Sequence, residues 1–209
     1  AYSTQLGELA FGGSNSYSVL DGGGSLSFQD AAQIVNNSSV AQTFAGSVTA
    51  NGAQFTINAG TTAGGSLTLG GLIDLSDTSG VQLKVTGTND TTIAGDITGA
   101  GGSLVKNVTG TLTLSGTNTY TGATNIQAGK IILGSDYALG TSNVTMATGS
   151  TLSSSTDGIT VANDIAATGS GTLESTAGTQ IYSGDISGSG ANLTKTGTGT
   201  AVFSTANTY

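Results

Sequence analysis

The sequence predicts an all-β chain wound as a solenoid of short stacked strands. Three observations carry that expectation. Asp96 to Tyr120 and Asp185 to Tyr209 align without a gap and are identical at 13 of 25 positions, the sign of a repeat architecture. Short apolar-alternating runs recur about every 8 to 12 residues, each bounded by Gly, Asn, Asp or Ser. The chain holds 35 glycines and no proline, with only 8% charged residues. Corners of stacked coils call for Gly, and continuous ladders reject Pro.

The strands follow in order. Ser25–Phe28, Gln42–Phe44, Gln54–Ile57, Ser66–Leu69 and Leu72–Leu75 are short runs whose apolar residues alternate or are briefly continuous. Val81–Val85, Thr91–Ile93, Ser103–Val105, Thr111–Leu114, Thr124–Ile126 and Lys130–Leu133 continue the pattern through the first repeat copy. Asn143–Met146, Thr151–Ser153, Ile159–Val161, Gly171–Leu173, Gln180–Tyr182, Leu193–Lys195 and Thr200–Phe203 complete it. No stretch keeps apolar residues at helical spacing for three turns. The nearest, Asp30 to Val35, is too short to stand as a helix, and Gln33 to Val35 reads as strand.

Strand spacing alone leaves a sandwich, a barrel or a solenoid open. A shorter phrase favours the solenoid. It has the form apolar, small, Gly, polar, apolar, hydroxyl, and occurs at Phe44–Thr49, Ile93–Thr98 and Tyr182–Ser187. The spacings, 49 and 89 residues, are read as two and four coils of about 22 to 25 residues. One such coil buries too few apolar side chains to offset the entropy of ordering its backbone. Stacking adds hydrogen-bond ladders and covers the apolar layer on both sides. The chain is expected to form a single β-solenoid segment over residues 1–209, with repeat copies at 96–134 and 185–209. It opens without Met and stops inside the second copy, so a longer parent repeat protein is expected.

Leu104-Val105-Lys106, then Gly110 through Thr124, then Gln127-Ala128-Gly129-Lys130 and Leu133-Gly134 resemble the autotransporter-associated β-strand repeat of bacterial passenger regions. Leu193 to Tyr209 resembles its first half. Departures are Asn107-Val108 where Thr-Gly is usual, Ala201 in place of Leu112's type, and Thr205 in place of Gly; these read as surface or corner variation. The resemblance implies a right-handed parallel β-helix with coils of about 20–25 residues. It also implies export and an extracellular or cell-surface location, without implying an activity.

The composition excludes several functions. There is no His and no Cys, so Ser-His-Asp and Cys-His catalysis and thiolate metal sites are excluded. The net charge of -8 argues against nucleic acid, and no apolar run reaches membrane-spanning length. The acids Asp74, Asp77, Asp90, Asp96, Asp136, Asp157, Asp164 and Asp185 are scattered and lack arginines beside them, which speaks against a carboxylate-pair enzyme. Asp74 to Gly80 offers oxygen ligands at odd spacing but lacks a calcium loop's closing Glu, so it reads as a polar turn.

Lys106 and Lys195 occupy equivalent positions, as do Asp96 and Asp185, and all four read as outward corner residues. Asn118 with Asn207 and Tyr120 with Tyr209 read as a structural turn and its packing aromatic. The sequons at Asn107 and Asn143 are expected by chance. No catalytic, cofactor-binding or metal-binding residue is assigned, and no cofactor is expected. The chain reads as a non-enzymatic stalk, adhesin or matrix-fibre segment of an exported surface protein. Its expected partners are further copies or neighbouring repeats, end to end or laterally. A glycan-binding module using Ser, Thr, Asn and the few aromatics is the second reading, and a polysaccharide-degrading β-helix the third.

Overall fold

The computed structural model describes residues 5–13, 15, 18–19, 25–76 and 80–208. These residues form a three-faced β-solenoid. Every strand pairing among them is parallel, and no helix is present. The chain visits the faces in a fixed cycle. One ladder runs from the second half of Ser25–Asn36 through Gln54–Asn58, Gln82–Thr86, Ser103–Lys106, Thr124–Ile126, Val144–Met146 and Ile165–Ala167 to Ile186–Ser187. We call this face 1. Face 2 is a nine-stranded ladder that includes Leu67–Leu69, Thr91–Ile93, Thr111–Leu114, Lys130–Leu133, Thr151–Ser154 and Gly171–Ser175. At about 4.8 Å per rung, nine rungs give a rod on the order of 40 Å long.

Face 3 is broken. Its lower part stacks residues 25–28 with Ser47–Ala50, Ile73–Asp74 and Ile97–Thr98. Its upper part stacks Thr160–Val161, Thr179–Tyr182 and Thr200–Phe203. Between them, residues 118–120 and 135–140 cross the face without forming strands.

The alternation that predicts strands also explains the core. On face 1, Phe55, Leu83, Leu104, Thr124, Val144, Ile165 and Ile186 follow one another in register. On face 2, Leu67, Thr91, Leu112, Ile131, Leu152 and Leu173 do the same. All of these side chains are buried, while most of the residues that alternate with them are half-exposed, Val105 and Ser153 being buried exceptions. Parallel pairing puts like residue over like residue, so one apolar position per rung becomes a continuous column.

Register shows that coil length varies along the rod. The step from Leu112 to its partner Ile131 is short, and the step from Ile57 to its partner Val85 is long. Most other steps fall near the solenoid coil size of about 20–25 residues.

The spacing of 49 is two whole coils, since Phe44, Leu69 and Ile93 share one column of face 2. The spacing of 89 is not four. Ile93 stacks through Leu114, Leu133 and Ser154 to Ser175, and Tyr182 lies beyond Ser175, around the next corner on face 3. The second repeat copy is therefore turned by one face. Ser103–Lys106 and Thr111–Leu114 lie on faces 1 and 2, whereas their counterparts Leu193–Thr196 and Thr200–Phe203 lie on faces 2 and 3. The repeat encodes a strand, a corner and a strand, not a whole turn.

The corner between faces 1 and 2 shows what the glycines do. Gly87, Val108, Gly129 and Gly149 follow shortly after face-1 rungs on successive coils, with φ of 96°, 91°, 76° and 79°. A Cβ on Gly87 would come within 2.7 Å of the amide nitrogens of Ala59 and Gly60. Val108 is thus the one β-branched residue in a left-handed column. Its counterpart in the second copy, Gly197, has φ of 78°. What reads from sequence as harmless corner variation is a strained backbone position.

Strain of this kind costs about 1–2 kcal/mol per residue. Part of that is returned through the greater unfolded-state freedom of Gly, about 0.4–1 kcal/mol. Val108→Gly is expected to stabilise the chain by about 1 kcal/mol. A urea midpoint at or below that of the unchanged chain would contradict this account.

Candidate functional site

Three sets of residues carry the polar chemistry of the rod. The first is the scattered aspartates. At each corner the ladder lapses and leaves an amide without a rung partner. Asp90 accepts from Thr111 N–H at 3.2 Å, Asp96 from Thr117 at 2.7 Å, Asp157 from Thr179 at 2.6 Å and Asp164 from Asp185 at 2.9 Å. Each carboxylate reaches one coil onward. Asp30 takes three amides, those of Ala31, Ala53 and Gln54, and the Gln54 and Ala53 bonds hold its carboxyl below the usual range. Asp74 accepts from both the N–H and the hydroxyl of Ser76. Asp77 and Tyr209 lie outside the described residues. Asp96 and Asp185 are outward corner residues, as the sequence suggests, but the partner of Asp96 is a backbone amide, not a lysine. The ion pair between Lys130 and Glu174, 2.5 Å, runs along the outside of face 2.

The second set is Lys106, Asn118 and Tyr120. The sequence places Lys106 outward, and the structure buries it at 1% exposure. It occupies the inward column of face 1 between Val85 and Ile126. Its stem fills the apolar layer, and its ammonium donates to the carbonyl of Val108 at the following corner, 2.5 Å away. A corner of this shape turns carbonyls inward, and a long cationic side chain can satisfy them from within. Burial pushes the ammonium down to about 8, against the opposing influence of Asp90. Lys195 makes the equivalent bonds to the carbonyls of Gly197 and Gly199 but is exposed.

Asn118 does not stack on other asparagines. Its Oδ1 accepts from Ile97 N–H at 2.8 Å, one coil below. Its Nδ2 donates to Ala138 O at 2.6 Å, one coil above. Tyr120 is fully buried, and its hydroxyl bonds Thr124, whose own hydroxyl donates to Leu139 O. That explains a threonine in an otherwise apolar column.

The third set lines an open cleft of about 440 Å³ where face 3 is broken. Asp136, Tyr137, Gly140, Thr141, Thr160, Ala162 and Asn163 form it. The segment Ser135–Gly140 forms turns where a strand would otherwise run; Ala138 and Leu139 stay buried, and Tyr137 is left 61% exposed. No sequence observation singles out Tyr137. The only signal is the lack of a β-branched residue between Leu133 and Thr141. Asp136 is among the scattered acids, and its Oδ1 accepts from Thr160 N–H at 2.8 Å.

The fold is a parallel three-faced β-solenoid in which a Gly-cornered strand pair, each copy with a lysine bonded to the corner carbonyls, occurs twice. Residues 104–133 and 193–209 match the passenger-associated-transport-repeat family. The chain thus carries two stretches that match this passenger repeat, the second shorter than the first. It is also similar to the adhesin BmaC autotransporter of Brucella suis biovar 1, with 35% identity over 162 residues. That alignment covers 74% of this chain and 4% of the relative. No solved structure gives a significant match.

Proposed function

We propose that this chain is a structural and adhesive segment of an exported bacterial surface protein, acting without enzymatic activity. The observation that supports this best is the assignment of the corner carboxylates. Asp90, Asp96, Asp157 and Asp164 are each engaged by a backbone amide of the next coil, which makes them parts of the rod. The outward positions between them are mostly Ser, Thr and Asn, a broad uncharged hydrogen-bonding surface. The similarity to an autotransporter adhesin supports the same reading.

Display of the chain on a non-adherent Gram-negative cell should raise the number of cells retained on polysaccharide- or host-cell-coated surfaces. Retention no greater than that of cells displaying an unrelated solenoid of equal length would remove the adhesive half of the proposal. Lateral association between copies belongs to the same reading. It is expected to appear as a concentration-dependent sedimentation coefficient, and a constant value would count against it.

A further inference from the structure

We propose that the cleft beside Tyr137 binds an uncharged sugar unit. This deepens the adhesive reading and rests on it for its biological setting, but the binding itself belongs to the isolated chain. The break in face 3 is local. Faces 1 and 2 pass through the same coils as regular strands, Thr124–Ile126 and Lys130–Leu133 among them. Only the third edge opens, so the cleft has rigid walls.

Its floor is equally fixed. Gly140 has φ of 66°, and a Cβ there would stand 2.8 Å from the ring of the buried Tyr120. A larger residue at 140 would fill the cleft or displace the ring beneath it. Tyr120 and Tyr182 point into the core, whereas Tyr137 presents its ring to solvent at the cleft's edge.

The polar groups are held in place and only partly used. Asp136 spends one carboxylate oxygen on Thr160 N–H, which orients the side chain and leaves Oδ2 as an acceptor. Asn163 donates to Gly140 O at 3.2 Å and Ser142 O at 2.7 Å, which uses both amide hydrogens and leaves Oδ1 as an acceptor. Thr141 and Thr160 add hydroxyls. Fixed acceptors beside an exposed aromatic ring match a pyranose, which carries hydroxyls on its rim and C–H groups on its faces. The volume lies in the range of small-ligand sites, about 300–1,000 Å³.

Charge narrows the ligand class. No lysine lines the cleft, one carboxylate does, and the chain carries a net charge of -8. Uronic and sialic acids would meet repulsion without a countercharge. A neutral hexose or an N-acetylhexosamine would not. The single carboxylate also lacks the second acid that glycoside cleavage uses, so the site is suited to binding and not to hydrolysis.

The test takes the 209-residue chain to an array of neutral and acidic oligosaccharides, with each hit measured by saturation-transfer NMR. Neutral sugars should bind and acidic ones should not. Tyr137→Ala should weaken binding at least tenfold. Asp136→Asn, which keeps an acceptor for Thr160 N–H, should weaken it several-fold. Leu72→Ala, an exposed apolar change elsewhere, should leave binding unchanged. All three variants should melt like the unchanged chain, because the side chains altered are exposed.

Three results would each overturn the proposal: no neutral sugar bound, a preference for acidic sugars, or undiminished binding by folded Tyr137→Ala and Asp136→Asn. Displayed cells that adhere equally with and without Tyr137 would take adhesion away from the cleft while sparing the adhesive reading. Sugar binding without any cell retention would do the reverse.

Discussion

Asn118→Ala should cost about 3–4 kcal/mol of stability, since each buried main-chain group left without a partner costs about 1–3 kcal/mol. The side chain is buried and ties three coils together. Its acceptor serves Ile97 N–H below, and its donor serves Ala138 O above. Removing it orphans both. Asn118→Asp would be nearly as harmful, because it keeps the acceptor but sets a carboxylate oxygen against the Ala138 carbonyl. Asn207 supplies an internal control. It accepts from Ile186 N–H at 2.8 Å, but its donor bonds Thr205 O within its own turn, and it is only half-buried. Asn207→Ala should cost about 1 kcal/mol, in line with one net hydrogen bond. Urea midpoints decide the matter, and equal losses at the two positions would refute the bridging role of Asn118.

Lys106 should give the chain an unusual alkaline profile. Its ammonium titrates at about 8 in the folded chain against 10.5 unfolded. Below pH 8 both states are charged, and the full cost of burying the ammonium is present. Between pH 8 and 10.5 the unfolded chain binds more protons than the folded one, so stability rises with pH. Tyr120 and Tyr182 act in the opposite sense. Burial pushes both hydroxyls above their ordinary 10, so the unfolded chain ionises first and gains from a further rise in pH. The increase due to Lys106 is therefore expected between pH 8 and about 10, with a fall beyond.

Lys106→Met should keep the packing against Val85 and Ile126 and abolish the rise. Lys106→Ala should abolish it too. It should also lower stability by about 2–4 kcal/mol, through a cavity in the column and an unsatisfied corner carbonyl. Denaturation midpoints at pH 7, 8.5 and 9.5 would show this. A rise that persists in Lys106→Met would assign it to another group.

Most of the strands are legible because parallel stacking rewards the alternation that marks a strand. Asp30 to Val35, the nearest approach to a helix, lies within the strand Ser25–Asn36. The strands that escape sequence reading are mainly short. Ser47–Ala50, Ile97–Thr98, Ile165–Ala167 and Ile186–Ser187 have two to four residues each and are held by the neighbouring rungs they pair with, not by their own propensity. Gln5–Phe11, QLGELAF, carries a Gly that weakens its strand pattern. It is secured by pairing with Ser25–Asn36, with a register shift between Leu6 and Glu8. The phrase shared by Phe44–Thr49, Ile93–Thr98 and Tyr182–Ser187 is a corner with a strand end on each side, and so serves at more than one of the solenoid's edges, between faces 2 and 3 in the first two cases and faces 3 and 1 in the third.

Lys106 shows why the polar chemistry was less legible. A lysine just before a Gly-rich turn looks exposed by every local criterion. Its inward direction follows from Leu104 and Lys106 sharing one side of a strand, with Leu104 on Leu83 and Lys106 on Val85. The carbonyls that reward that direction belong to a corner that exists only in the folded coil. Tyr137 is the converse. It looks like any packing tyrosine until the turn at Ser135–Gly140 sends Ala138 and Leu139 into the core and leaves it outside.

The sequence alone determines that this chain winds into a parallel solenoid. Alternating apolar residues set the rungs, glycines set the corners, and the lack of proline leaves the ladders unbroken. Tertiary structure alone decides where around the rod each residue falls. Coils differ in length, short from Leu112 to Ile131 and long from Ile57 to Val85, and such differences accumulate until the second repeat copy has moved one full face. That phase is fixed by which strands stack, a matter of contacts made one coil away. No local pattern records them, and with them go the burial of Lys106, the bridge at Asn118 and the opening beside Tyr137.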